Sequence, residues 1–169
     1  MATSRALLLI DADVLIDYAG VEVGILGLVT RHVGAVYVVE SVLSEAPRLR
    51  PSDCDRLGLQ IVQPSLSQLL QAGENRGRLS FNDRLSLIVA HDAGWTCVSN
   101  DRALRKACGK YQVPVWWGLE LMLALVRIRQ LAGQAALAVA QAIHESNPRH
   151  ITAEILERFA REVERALSE

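Results

Sequence analysis

Residues 79–107 read LSFNDRLSLIVAHDAGWTCVSNDRALRKA, and this stretch decides the fold. Ser80 with Asp83 three residues on has near capping-box spacing, so a helix is predicted to open near Ser80 and to carry Leu85, Leu87, Ile88, Val89 and Ala90. Ala93-Gly94 stops it. Thr96-Cys97-Val98 then reads as a short strand, and Ser99-Asn100-Asp101 leads into a second helix with Ala103, Leu104 and Ala107. Helix, strand and helix in succession, with polar residues directly after the strand, is the order of elements in a parallel α/β sheet.

Upstream, Leu7-Leu8-Leu9-Ile10 is wholly apolar and is closed by Asp11, as expected of a buried central strand. Val36-Tyr37-Val38-Val39, closed by Glu40, repeats the pattern, with a helix from Val23 to His32 between the two. Ile61-Val62 is a short third strand, and Pro51-Ser52-Asp53-Cys54-Asp55 reads as a loop. Downstream, Val113-Pro114-Val115-Trp116 makes an edge strand, because proline cannot donate to a central ladder. From Leu119 onward the strand signals stop. Leu119 to Leu131 and Gln134 to His144 are predicted helices broken near Gly133. Asn147-Pro148 is a turn, and Thr152 caps a last amphipathic helix reaching about Leu167. The expectation is an α/β domain over residues 1–118, with a helical C-terminal extension over 119–169 packed on it.

Composition agrees. Half of the 169 residues are hydrophobic and 22% are charged, enough apolar material for a core and too much for disorder. Eighteen Lys and Arg nearly cancel nineteen Asp and Glu, for a net charge of -1, which excludes retention on nucleic acid by bulk charge alone. Lys106 and Lys110 are the only lysines. Arginine suits bidentate phosphate contact, but a GC-rich genome explains the bias and we place that explanation first. Cys54, Cys97 and Cys108 show neither CxxC spacing nor an even count, so no disulfide framework or zinc site is expected. No apolar run reaches the roughly 18 residues of a membrane span. A soluble, cytoplasmic protein with no membrane partner is expected.

The acids fall at strand ends and helix starts: Asp11, Glu45, Asp83 and Asp101. In open parallel sheets ligands bind outside the carboxyl ends of the strands, where strand order reverses. Four carboxylates meeting there would repel one another without a cation. Oxygen ligands suit Mg2+ or Mn2+, which would neutralise the cluster and activate water against a phosphodiester. Each acid also has a purely structural explanation. Asp83 and Asp101 sit where helix starts favour a carboxylate, and Glu45 alone reads as a solvated helix residue. Asp11, directly after LLLI, is near-buried and needs a partner or a metal. Asp13 is read as the cap of the following helix, with a fifth carboxylate in the site as the alternative.

Two other aspartate chemistries begin alike. A haloacid-dehalogenase-type phosphatase would need a late pair of aspartates, and none follows Asp101. A response-regulator receiver would need a phospho-acceptor at a central strand end and a lysine at a later one. Asp53 and Lys106 do not occupy such places.

The segments LLLIDADVLID, VYVVESVLSEA and residues 79–107 resemble the PIN-domain ribonucleases, and among them the VapC-like toxins. The Ser-Asn-Asp-Arg-x-Leu-Arg run from Ser99 to Arg105 is the most specific part. The resemblance spans about residues 7 to 116 and implies a three-layer fold around a mainly parallel sheet. It implies a metal-dependent ribonuclease with Asp11, Glu45, Asp83 and Asp101 as catalytic, metal-holding residues, leaving a 5'-phosphate and a 3'-hydroxyl. It further implies RNA as substrate and an antitoxin as partner. A homodimer or partner contact is expected from the tail itself, whose Leu121, Met122, Leu125, Val126 and Ile128 exceed one narrow helix stripe. The alternative is a catalytically weak PIN-fold module that binds RNA or protein. The chain departs from the family in having Ala12 where Ser or Thr is common. Strand-end logic favours Glu40 as the ligand, whereas the resemblance favours Glu45, reached from a helix capped by Ser41.

The remaining polar candidates carry less. His32, His91, His144 and His150 lack ligand spacing and read as surface or helix-terminal residues. Trp116-Trp117 is expected to bury against the tail helices rather than to stack a base. Arg102, Arg105, Lys106 and Lys110 either meet an RNA backbone or form a solvated helix face. Arg76 and Arg78 belong to a loop before Asp83 that is open to substrate contact.

Overall fold

The computed structural model describes residues 4–74 and 77–169. Arg76 therefore lies outside the described residues. The apolar run at the start forms β1 (Ala6–Ile10), whose Leu8, Leu9 and Ile10 are fully buried. It pairs in parallel with β2 (Gly34–Val39) on one side and β4 (Thr96–Val98) on the other. β3 (Leu59–Val62) adds outside β2, and β5 (Val115–Trp116) outside β4. The all-parallel order is β3-β2-β1-β4-β5. Pro114 precedes an edge strand, as a residue without an N–H requires.

Strand order reverses between β1 and β4. From β1 the chain moves outward through β2 to β3, returns to β4 and ends at β5. Right-handed crossovers then put the two sets of helices on opposite faces, giving three layers. The first set begins with α1 (Ala12–Val21) and α2 (Gly24–His32), the latter packed on β2. It continues with α3 (Glu40–Leu43) and α4 (Pro51–Leu57), and α4 packs against α2 and β3. The second set is α5 (Leu66–Glu74), α6 (Phe81–Ala93) and α7 (Arg102–Lys110), with α6 in contact with both its neighbours and β4. Gly94 ends α6 in the left-handed conformation, φ 70°, which glycine adopts without the steric cost of a Cβ.

Two local expectations need correction. Residues 51–55 form the start of α4, not a loop: Pro51 takes the first helical position, and Asp53 accepts from the Arg50 N–H at 2.9 Å. The helix after β2 is a single turn whose first residue is Glu40, so Ser41 does not cap it and Glu45 does not lie inside it. Pro47 gives the reason. It has no N–H to continue the ladder and disfavours helix at Ala46, so Glu45 and Ala46 close tight turns onto Val42 O and Leu43 O. The Ser41 hydroxyl instead donates to Asn82 Oδ1 at 2.7 Å, tying this turn to the start of α6.

Past Gly118 come α8 (Glu120–Arg127), α9 (Gly133–Ser146) and α10 (Ala153–Ser168), the last capped by Thr152 accepting from Ile155 N. α8 packs on α2 and α10, and α9 on α1. Leu121, Met122, Leu125 and Val126 are fully buried, whereas Ile128 stays exposed. Among the described residues no helix is long and apolar enough to cross a membrane. The three cysteines are free and buried.

Candidate active site

The crevice outside the carboxyl ends of β1 and β4 is the switch point of this sheet, where ligands bind in such folds. Asp11 follows β1 directly, and its N–H extends the ladder by donating to Val98 O at 3.1 Å. Its carboxylate is 4% exposed and caps α1 by accepting from Val14 N at 3.1 Å. Asp13, read from the sequence as that cap, lies instead in the first helical turn with its side chain half-buried. The second oxygen of Asp11 accepts from the Ser99 hydroxyl, whose oxygen in turn accepts from Asp101 N at 3.0 Å. Asp101 caps α7 through Leu104 N at 2.8 Å. Asp83 closes a capping box with Ser80 at the head of α6.

Capping and site formation are thus not alternatives. Three helices begin at this edge, and each places a carboxylate at its positive end. A cavity of about 340 Å³ is lined by Asp11, Ala12, Asp13, Ile16, Glu45, Ser80 and Asp83. Glu45 reaches it from the turn after α3, whereas Glu40 does not line it. Among the described residues no lysine or arginine forms an ion pair with Asp11, Asp13, Glu45, Asp83 or Asp101.

The electrostatics follow. Burial pushes the Asp11 carboxyl up to about 7; hydrogen bonds from Ser99 and Val14 oppose this, and the charges of Asp13 and Asp83 add to it. Burial also raises Asp83, with Asp101 and Asp13 reinforcing it. A folded-state value above the ordinary one means that ionised Asp11 costs stability. The cost is absent below about pH 4, grows as pH rises towards 7 and is complete above it, amounting to a few kcal/mol. Asp11→Asn should therefore melt at a higher temperature than the unaltered, metal-free chain at pH 8, with the gain vanishing near pH 4. Thermal melts without stabilisation at pH 8 would rule out the buried charge.

Beside the acids lies a polar junction that sequence reasoning missed. Asp17, 7% exposed, accepts from Asn147 Nδ2 at 3.0 Å and from Asn100 Nδ2 at 3.5 Å. Burial raises its carboxyl to about 6. Asn100 Oδ1 accepts from Gly118 N at 2.8 Å, and Tyr18 donates to Gly118 O at 2.7 Å. A Cβ at Gly118 would stand 3.0 Å from Asn100 Nδ2 and 3.1 Å from Val14 Cγ2, so any larger residue would push on the Asn100 amide. The only signal for Asp17 was a charge among Val14, Leu15 and Tyr18 on an apolar helix face.

His150, read from the sequence as a surface or helix-terminal residue, sits nearer the acids than that reading implies. It is not helix-terminal, unlike His32, His91 and His144, which end α2, α6 and α9. It lies in the turn before α10, and ligand atoms of Asp13, Asp101 and His150 fall within 4.8 Å of one another. Of the basic residues named above, Arg105 is committed to the fold: it donates to Ser99 O at 3.1 Å and lies over the Trp117 ring at 3.6 Å. Trp117 is half-buried beside Leu119, Leu123 and Phe159. Arg78 is exposed.

No family model matches the sequence, and no curated protein matches it. Among solved structures, the chain is similar to a PilT N-terminus domain protein from the hyperthermophilic archaeon Sulfolobus solfataricus P2, with a TM-score of 0.52 and 11% identity over 68% of this chain and 88% of that one. That likeness is one of fold: the architecture is PIN-like.

Proposed function

We propose that this chain is a metal-dependent ribonuclease of PIN type, with Asp11, Glu45, Asp83 and Asp101 as its working acids. The observation that carries this is the convergence of Asp11, Glu45 and Asp83 on one cavity at the switch point, with no lysine or arginine among the described residues in an ion pair with them. A buried carboxylate such as Asp11 is costly unless its charge is compensated, and an all-oxygen set suits Mg2+ or Mn2+. Carboxylate oxygens are the donor chemistry such an ion takes, and in this proposal Asp11, Glu45 and Asp83 would hold it from the cavity, with Asp101, which does not line it, beside them. When bound, it supplies charge neutralisation at the phosphodiester and activation of water. The protein's part is positioning: Ser99 and Val14 N fix the Asp11 carboxylate, Leu104 N fixes Asp101, and Ser80 fixes Asp83. Within this proposal the chain is the toxin of a toxin–antitoxin pair and a homodimer, and the antitoxin acts by covering the cavity.

The test is cleavage of single-stranded RNA across Mg2+ and Mn2+ titrations, leaving 5'-phosphate ends. Glu45→Gln should lower cleavage by about 100-fold or more, while Glu40→Gln stays within a few-fold. RNA binding without cleavage at any metal level would make the chain a PIN-fold binding module instead. The reverse pattern of the two variants would move the ligand role to Glu40.

A further inference from the structure

We propose that His150 is a metal ligand, joining Asp13 and Asp101 in a nitrogen-containing cation position beside the Asp11–Asp83 cavity, and that it favours a first-row transition ion such as Mn2+ over Mg2+. This deepens the nuclease proposal, because Asp101 is common to both positions.

The first support is proximity. His150 Nε2 stands 3.9 Å from Asp13 Oδ2, and the ligand atoms of all three residues lie within 4.8 Å. A separation of 3.9 Å is too long for a hydrogen bond. It is within reach of two ligands on one ion, since bonds of about 2.0–2.2 Å allow spacings up to roughly 4 Å.

The second support is the tautomer. Asn147 Nδ2 donates to Asp17 Oδ1 at 3.0 Å, so the amide oxygen of Asn147 is the atom turned to His150. That oxygen lies 3.1 Å from His150 Nδ1 and can only accept. The proton of a neutral imidazole is therefore assigned to Nδ1, and the lone pair is left on Nε2, the nitrogen that stands near Asp13. A second partner that holds the far ring nitrogen is the usual support of a metal-binding histidine. Here it is a chain of two, Asp17 to Asn147 to His150, anchored in α1 and reaching the end of α9. Imidazole is a preferred ligand of transition ions, whereas Mg2+ prefers oxygen and water. His150 is also the only basic side chain, among the described residues, that pairs with an acid of this cluster. A protonated counter-ion is therefore the competing role.

The experiment uses the full chain with Mn2+ as probe. Pulsed electron paramagnetic resonance of the Mn2+-loaded protein should show coupling to a 14N nucleus, and His150→Gln should remove it. The same substitution should weaken Mn2+ binding by about tenfold or more while changing Mg2+ binding by less than about threefold. Absence of nitrogen coupling in the unaltered protein overturns the proposal, and needs no variant to fold. So does its survival in His150→Gln, or Mn2+ affinity that is unchanged or improved there, as a counter-ion role requires. RNA cleavage is read separately. Nitrogen coupling in a chain that cuts no RNA retains this centre and defeats the nuclease, whereas cleavage without the coupling does the opposite.

Discussion

Asp11→Asn and Asp101→Asn should each reduce metal-dependent RNA cleavage by at least about 1,000-fold, the several kcal/mol that a metal contributes to a phosphodiester transition state. The two residues stand on either side of Ser99, which donates to Asp11 and accepts from Asp101 N. Removing one charge therefore alters a shared site, and the losses should not add in the double variant. Both variants should remain folded, because asparagine accepts the same capping hydrogen bond from Val14 N or Leu104 N as aspartate does. Cleavage and circular dichroism measured on the same preparations check this. Either variant keeping near-normal metal-dependent cleavage would refute the shared site.

A chain ending at Gly118 should fail to fold. It loses Leu121, Met122, Leu125, Val126, Ala136, Ala140, Ile143 and Ile151, every one of them 1% exposed or less. Fully burying a large aliphatic side chain stabilises by about 1.5–3 kcal/mol, while a whole domain is stable by only about 5–15 kcal/mol. The loss also strips Asn147 from Asp17, leaving its carboxylate with a single long contact to Asn100. Insoluble protein, or soluble protein without a cooperative thermal transition, is the expected outcome. A soluble fragment that melts cooperatively and keeps the same association state in light scattering would show that the tail is dispensable.

What was legible in the sequence was local. The strand of Leu7 to Ile10, the stop at Gly94 and the caps at Ser80 and Thr152 depend on contacts within a few residues of one another, and all are found. Asp11, which closes an apolar run, and Asp101, which stands at a helix start, were legible for the same reason. The turn after β2 is shorter than the expected helix because Pro47 stops it, and Ser41, which resembles a cap, bonds Asn82 instead. His150 and Asn147 were out of reach for a different reason. Asn147 meets Asp17 across 130 positions, and no periodicity encodes that encounter. Only packing of α9 against α1 creates it.

The burial of Ile143, Ile151 and Val163 in the same core as β1 has a consequence for the order of synthesis. Every acid proposed to hold metal has been translated by residue 101, yet the core that seats them closes only when α10 is made. Domains fold as units as they leave the ribosome, so the acids meet late. Under the proposed function, the site would be seated only after α10 has been made, so activity would follow the synthesis of that helix and not that of the last acid.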